Sequence, residues 1–153
     1  MEKIKIFVMD VDGTLTDSKI YIGVKGETMK AFNVKDGYGI VMLHDNGIEP
    51  VIITGRQSEI VAQRAKELKI TELHQGIHDK RKVLLKIMED RGLTKDQVAY
   101  IGDDLNDAEC FEVAGMTACP ADSISQIKAV SAYVCTKNGG DGAVREFIDR
   151  ILS

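Results

Sequence analysis

The stretch Phe7-Val8-Met9-Asp10-Val11-Asp12-Gly13-Thr14-Leu15-Thr16 decides how the rest of the chain is read. The apolar run from Ile4 to Met9 predicts a buried strand, and it ends in two carboxylates set two residues apart. In a continuing strand both would point to one side, but Gly13 marks the start of a turn. One carboxylate can then face a bound group while the other swings beside it. A lone Asp-x-Asp is also an ordinary strand exit, so the pieces downstream carry the decision.

Working outward, Ile20, Ile22 and Val24, then Met29 and Ala31, alternate on either side of Gly23 to Gly26 and predict a projecting β-hairpin over about residues 19–33. The polar, glycine-containing segment Asn33 to Gly39 reads as a loop leading into a helix near Gly39–Asn46, stopped by Asn46-Gly47. A β-branched run, Val51-Ile52-Ile53, ends at Thr54-Gly55-Arg56, and a helix follows over about Ser58–Leu68. A short strand near Glu72–His74 precedes Asp79-Lys80-Arg81 and a third helix ending at Arg91-Gly92. Val98-Ala99-Tyr100-Ile101 is the next strand, ending at Gly102-Asp103-Asp104-Leu105-Asn106-Asp107. A helix near Leu105–Ala114, a strand near Met116–Ala118, a helix from about Ser123, a strand near Tyr133–Cys135 and a helix from Gly142 complete the chain. Regular strand–helix alternation with short connections predicts an α/β fold: a Rossmann-like, doubly wound parallel sheet in one domain over residues 1–153, with the small hairpin as its sole excursion and no cap domain. Ligands of such sheets sit beyond the carboxyl ends of the strands, where Asp10, Asp12, Thr54, Lys80, Asp103 and Asp107 all fall.

Bulk composition narrows the class of function. A formal net charge of -4, with no basic run, argues against a nucleic-acid or anionic-membrane partner. No apolar stretch reaches the length of a membrane span, and Met1-Glu2-Lys3-Ile4-Lys5 has no signal-peptide pattern, so the cytoplasm is the expected compartment. Cys110, Cys119 and Cys135 are far apart and form no C-x-x-C pair, which suits reduced core residues. The spacings of His44, His74 and His78 fit no metal cluster.

Several carboxylates, a hydroxyl, a lysine and an arginine gathered at one sheet edge form a chemically coherent set. An all-oxygen carboxylate cluster suits Mg²⁺. A hard cation, an ammonium and hydrogen-bond donors are what a phosphoryl group needs. An aspartate there can attack phosphorus, and a second carboxyl two residues on can protonate a departing alcohol and then activate water.

At this point Asp10-Val11-Asp12-Gly13-Thr14, Thr54, Lys80 and Gly102-Asp103-Asp104-x-x-Asp107 resemble the four ordered motifs of the haloacid dehalogenase superfamily of phosphohydrolases. The resemblance implies Asp10 as nucleophile and Asp12 as general acid/base, with Thr54 and Lys80 holding the phosphoryl group. It implies Mg²⁺ held by an Asp10 oxygen, the Asp12 main-chain carbonyl and Asp103, with Asp104 and Asp107 orienting those groups.

No room exists for a cap, and a capless member takes a macromolecular substrate or borrows its lid from a neighbouring subunit. The chain is similar over nearly its whole length to the second kind, the 3-deoxy-D-manno-octulosonate 8-phosphate (KDO 8-phosphate) phosphatases, through Phe32 to Ile40, Ile53-Thr54-Gly55-Arg56, Gln75-Gly76, Val98 to Leu105 and Gly139-Gly140-x-Gly142-Ala143-Val144-Arg145-Glu146. That similarity implies a phosphoric monoester hydrolase of lipopolysaccharide biosynthesis acting on a small sugar acid phosphate. It also implies a homotetramer whose hairpins assemble and whose sites are closed by neighbouring subunits. Substrate contacts would come from Asp12, Asn33, Lys35, Asp36, Gly37, Arg56, Arg64 and Lys80, the arginines offering forks suited to a carboxylate. Val41 stands where members often carry an arginine. The glycine-rich segment Asn138 to Gly142 either folds over a neighbouring site or simply opens the last helix. Two alternatives stay open: a phosphatase for a nine-carbon keto sugar acid 9-phosphate of the KDN or sialic acid type, and a non-catalytic partner domain of the same fold.

Overall fold

A computed structural model describes residues 3–153, so Met1 and Glu2 of the N-terminal stretch read above lie outside the described residues. Six strands form one sheet in the order β5-β4-β1-β6-β7-β8: β1 (Ile6–Met9), β4 (Glu49–Ile53), β5 (Glu72–His74), β6 (Val98–Ile101), β7 (Met116–Cys119) and β8 (Tyr133–Val134). All neighbours in it are parallel. The chain winds outward from β1 through β4 to β5, then crosses back to β6 and winds the other way. The order therefore reverses at β1, which is where a crevice opens in such sheets.

Alternation along β1 divides the core. Phe7 and Met9 point to one face with Ile40, Leu43, Val144 and Phe147, from α1 (Val34–Asp45) and α6 (Ala143–Leu152). Ile6 and Val8 point to the other, with Leu84, Ile87, Phe111 and Ile127 from α3 (Lys80–Arg91), α4 (Ala108–Phe111) and α5 (Ser125–Val130). The helix α2 (Glu59–Glu67) adds Val61 and Ala65 to the first face. Because β1 is covered on both faces, its four residues are all buried, and each large apolar side chain there contributes about 1.5–3 kcal/mol on leaving water.

Two of the expected helices differ from the sequence expectation. The helix α1 starts at Val34 rather than near Gly39, because Asn33 caps it by accepting from Lys35 N at 2.8 Å. Its glycines are close-approach positions rather than breakers: a Cβ on Gly37 would meet Arg64 at 2.6 Å, and one on Gly39 would meet Arg145 and Ile148 at 3.0 Å. The helix expected over Leu105–Ala114 is a 3₁₀ turn, Leu105–Asp107, followed by the single turn of α4. The side chain of Asp107 is turned back toward the amides of Asp103 and Asp104, which sets this tighter path.

The glycine-rich segment packs on its own domain. A Cβ on Gly139 would lie 2.0 Å from the carbonyl oxygen of Gly13, and Gly140 N donates to Thr14 O at 3.1 Å. It braces the loop after β1 in the same chain, then opens α6. Among the described residues the hairpin of β2 (Tyr21–Gly23) and β3 (Gly26–Met29) pairs only with itself, and it leaves Ile22, Val24 and Met29 at 66%, 107% and 56% exposure.

Candidate active site

Register brings the chemistry together. Met9 pairs with Ile52 on one side and with Ile101 on the other, so the residues just beyond β1, β4 and β6 open onto the same edge. Asp10, Asp12, Thr54, Gly55, Arg56, Asp103, Asp104 and Asn106 line one cleft there.

Below the cleft lies a buried lysine. Lys80 opens α3 with its side chain fully covered, and its ammonium stands 3.0 Å from Asp10 Oδ1 and 3.0 Å from Asp107 Oδ1. Burial alone pulls a lysine downward, but the carboxylates of Asp10 and Asp107 outweigh it and hold Lys80 above its ordinary range. Asp107 is fully engaged: Oδ1 also accepts from the Tyr100 hydroxyl at 2.6 Å, and Oδ2 accepts from the amides of Asp103 at 3.0 Å and Asp104 at 3.3 Å. Gly102 makes room for it, since a Cβ there would lie 2.3 Å from the Asp107 carboxyl carbon. With every lone-pair direction taken, Asp107 orients Lys80 and the Asp103 loop.

The remaining carboxylates carry an electrostatic debt. Burial, reinforced by Asp107, pushes Asp10 up to about 6 although Lys80 opposes it. Burial and the charges of Asp10 and Asp107 push Asp103 up to about 8. One oxygen from each of Asp10, Asp103 and Asp107 falls within a 4.8 Å cluster. With Asp107 saturated, Asp10 and Asp103 are left to share a hard divalent cation, and the excess of buried negative charge fits one. Gly13 shapes the same spot: its φ is +90°, and a Cβ would lie 1.9 Å from Asp103 Oδ2.

Asp104 accepts from Leu105 N at 2.7 Å and caps the 3₁₀ turn at the cleft rim. Thr54 is buried at the end of β4, and Arg56 is half exposed, its Nε 3.9 Å from Asp12 Oδ2. The other expected substrate residues do not line the cleft. Asp36 lies in the first turn of α1, only 1% exposed, and accepts from Arg145 N at 2.9 Å. It therefore caps α6 from a buried position, where desolvation pushes it up to about 6, and it does not line the cleft. Gly37 is buried under Arg64, whose guanidinium lies over the Phe32 ring at 5.6 Å. Asn33 donates to Gly140 O at 3.4 Å, and Lys35 is exposed on the outer turn of α1.

Two participants have no counterpart in the sequence reading. Tyr100 was legible in principle, because a hydroxyl inside a buried apolar strand needs a partner. Lys30, whose ammonium stands 2.6 Å from Asp12 Oδ1, comes from the end of the hairpin, and no periodicity points to it.

Comparison with known proteins agrees with this geometry. Residues 70–148 match the family model described as haloacid dehalogenase-like hydrolase. The 3-deoxy-D-manno-octulosonate 8-phosphate phosphatase KdsC of Escherichia coli K12 is 42% identical over 99% of this chain and 80% of its own length. Among solved structures, the cobalt-bound deoxy-D-mannose-octulosonate 8-phosphate phosphatase of Haemophilus influenzae superposes with a TM-score of 0.95 at 38% identity, covering 98% of this chain and 88% of that one. The Moraxella catarrhalis 3-deoxy-D-manno-octulosonate 8-phosphate phosphatase, in complex with a magnesium ion, a phosphate ion and KDO, does so at 0.93 with 46% identity, covering 97% and 86%. The carboxylate cluster beyond β1 and β6, the lysine beneath it and these similarities together place the chain: it belongs to the haloacid dehalogenase-like hydrolase family, among the 3-deoxy-D-manno-octulosonate 8-phosphate phosphatases.

Proposed function

We propose that this protein hydrolyses KDO 8-phosphate to KDO and phosphate through an aspartyl-phosphate at Asp10, with Mg²⁺ bound by Asp10, Asp103 and the Asp12 main-chain carbonyl. The observation that carries the reading is Lys80, buried and bridging Asp10 and Asp107 at 3.0 Å beneath a cleft that Asp12 also lines. Bound Mg²⁺ supplies charge neutralisation for Asp10 and the transferring phosphoryl group. Lys80 fixes one Asp10 oxygen, so the other attacks phosphorus. As the bond from phosphorus to the sugar oxygen breaks, its electron pair goes to that oxygen, which takes a proton from Asp12. Asp12, now a carboxylate, removes a proton from water as the water attacks phosphorus, and the Asp10–phosphorus bond breaks. Thr54 donates to a phosphoryl oxygen, Asp104 shapes the rim, and Arg56 meets the sugar acid carboxylate.

The reading extends to assembly and place. The apolar hairpin of Ile20, Ile22, Val24 and Met29 joins subunits in a homotetramer whose neighbours close the capless sites. No helix among the described residues is long and apolar enough to cross a membrane, and the reaction belongs to lipopolysaccharide precursor synthesis in the cytoplasm.

The test measures phosphate release from KDO 8-phosphate and from a nine-carbon keto sugar acid 9-phosphate, with Mg²⁺ and with Asp10→Asn as control. Preference for the first substrate, abolished in the variant, is expected. Preference for the second moves the substrate assignment, and turnover by Asp10→Asn removes the aspartyl-phosphate.

A further inference from the structure

Asp12 is held by groups that the four family motifs do not include. Its Oδ1 accepts from Lys30 Nζ at 2.6 Å, while Oδ2 has Arg56 Nε at 3.9 Å, beyond hydrogen-bonding distance. Lys30 follows directly on β3, in a ribbon most of whose residues are exposed, yet its own side chain is 0% exposed. The ammonium lies 3.0 Å from Glu27 Oε2 as well. Glu27 also stands 3.7 Å from Arg56 Nη2 and accepts from the Ser58 hydroxyl. Ser58 in turn caps α2 by accepting from Val61 N. Two cations thus alternate with two carboxylates, tying the hairpin, the loop after β1, the loop after β4 and the start of α2 into one network.

A covered ammonium is costly unless its partners are fixed, and the hairpin turn itself has no use for one. What the arrangement does is chemical. With Oδ1 occupied, Oδ2 is the oxygen of Asp12 left to exchange a proton, and the torsions of Asp12 are set by the lysine. Building on the phosphatase reading above, we propose that Lys30 is a positioning residue for Asp12: it fixes one carboxylate oxygen so that the other serves the leaving group and then water, and Glu27 keeps Lys30 in place. The hairpin then acts on the site of its own chain, in addition to any contact it makes with a neighbour.

An aryl ester separates the two halves of the reaction. The 4-nitrophenolate leaving group needs no proton, so its release reports attack by Asp10, whereas steady-state turnover also requires Asp12 to activate water. Rapid mixing of 4-nitrophenyl phosphate with the Mg²⁺-loaded full chain gives both phases. For Lys30→Met the first nitrophenolate per site should appear within about threefold of the wild-type rate, and steady-state turnover should fall roughly 100-fold, the scale of a mispositioned general acid/base. Glu27→Gln, which keeps the ammonium but neutralises its anchor, should lose about tenfold in the same phase; it decides the question if Lys30→Met fails to fold, as thermal melting would reveal. Equal slowing of both phases, or unchanged turnover in a folded variant, overturns the proposal. Turnover of the aryl ester without any of KDO 8-phosphate would overturn the substrate assignment alone, since both phases are read on the aryl ester.

Discussion

Replacing Lys80 by Met tests the electrostatic design of the site most directly. The substitution keeps most of the buried volume and deletes the cation that lies between Asp10 and Asp107. Asp107 retains the Tyr100 hydroxyl and two backbone amides, so Asp10 bears most of the loss. Breaking a buried pair by removing one partner costs about 3–5 kcal/mol, and for a chain of this size each kcal/mol moves the melting temperature by about 2–4 °C. The metal-free variant should therefore melt roughly 6–20 °C below wild type. Two further signs follow. The Lys80 charge opposes the upward shift of Asp10, so its removal drives Asp10 further above its ordinary range. A carboxyl whose folded-state pKa is raised binds its proton more tightly when folded, so the penalty exists above that pKa and is relieved as pH falls through it. The gap between variant and wild type should accordingly narrow from about pH 8 to about pH 5. Mg²⁺ supplies the missing positive charge, so it should raise the variant's melting temperature by more than it raises that of wild type, without restoring turnover. Differential scanning calorimetry in chelator and in Mg²⁺, at both pH values, makes the measurement. A gap under about 3 °C in chelator would refute the reasoning, as would one that stays constant with pH.

Gly13→Ala should abolish Mg²⁺-dependent turnover, because the new Cβ would fall 1.9 Å from Asp103 Oδ2 at a backbone φ of +90°; isothermal titration with Mg²⁺ should show the cation site weakened more than tenfold, about 1.4 kcal/mol. Chelation should stop phosphate release and Mg²⁺ should restore it, with the thermal gain from Mg²⁺ larger at about pH 8 than at about pH 6, since protons on Asp103 and Asp10, raised to about 8 and about 6, compete with the cation. Asp36→Asn should leave KM for KDO 8-phosphate within about threefold, because that carboxyl is buried capping α6 and does not line the cleft; a tenfold rise would return it to the substrate site. Ile22→Asp, on the exposed hairpin, should shift the particle mass toward a monomer in sedimentation velocity, and an unchanged tetramer would remove the hairpin from the interface.

The parallel sheet and the gathering of the candidate site residues at one edge were legible in the chain because both follow from local pattern. Apolar runs such as Ile4 to Met9 and Val98 to Ile101 are too short for helices and are bounded by glycine and aspartate, and in a strand–helix alternation each run delivers its last polar residue to the same edge. That pattern puts Asp10, Asp12, Thr54, Lys80, Asp103 and Asp107 at the edge, while the roles expected of them came from their resemblance to the family motifs. Tertiary structure alone decided how those groups are held. Lys30 meets Asp12 across 18 residues and Asp36 meets Arg145 across 109, and no periodicity encodes which long side chain will be folded over which carboxylate. The glycines of α1 look like loop residues in sequence, and only the packing of α1 on Arg64, Arg145 and Ile148 shows why a side chain is excluded there. Periodicity fixes the face a residue takes. The burial and pairing of its charge depend on three-dimensional neighbours, because desolvation and Coulomb energies are set by distance in space rather than along the chain.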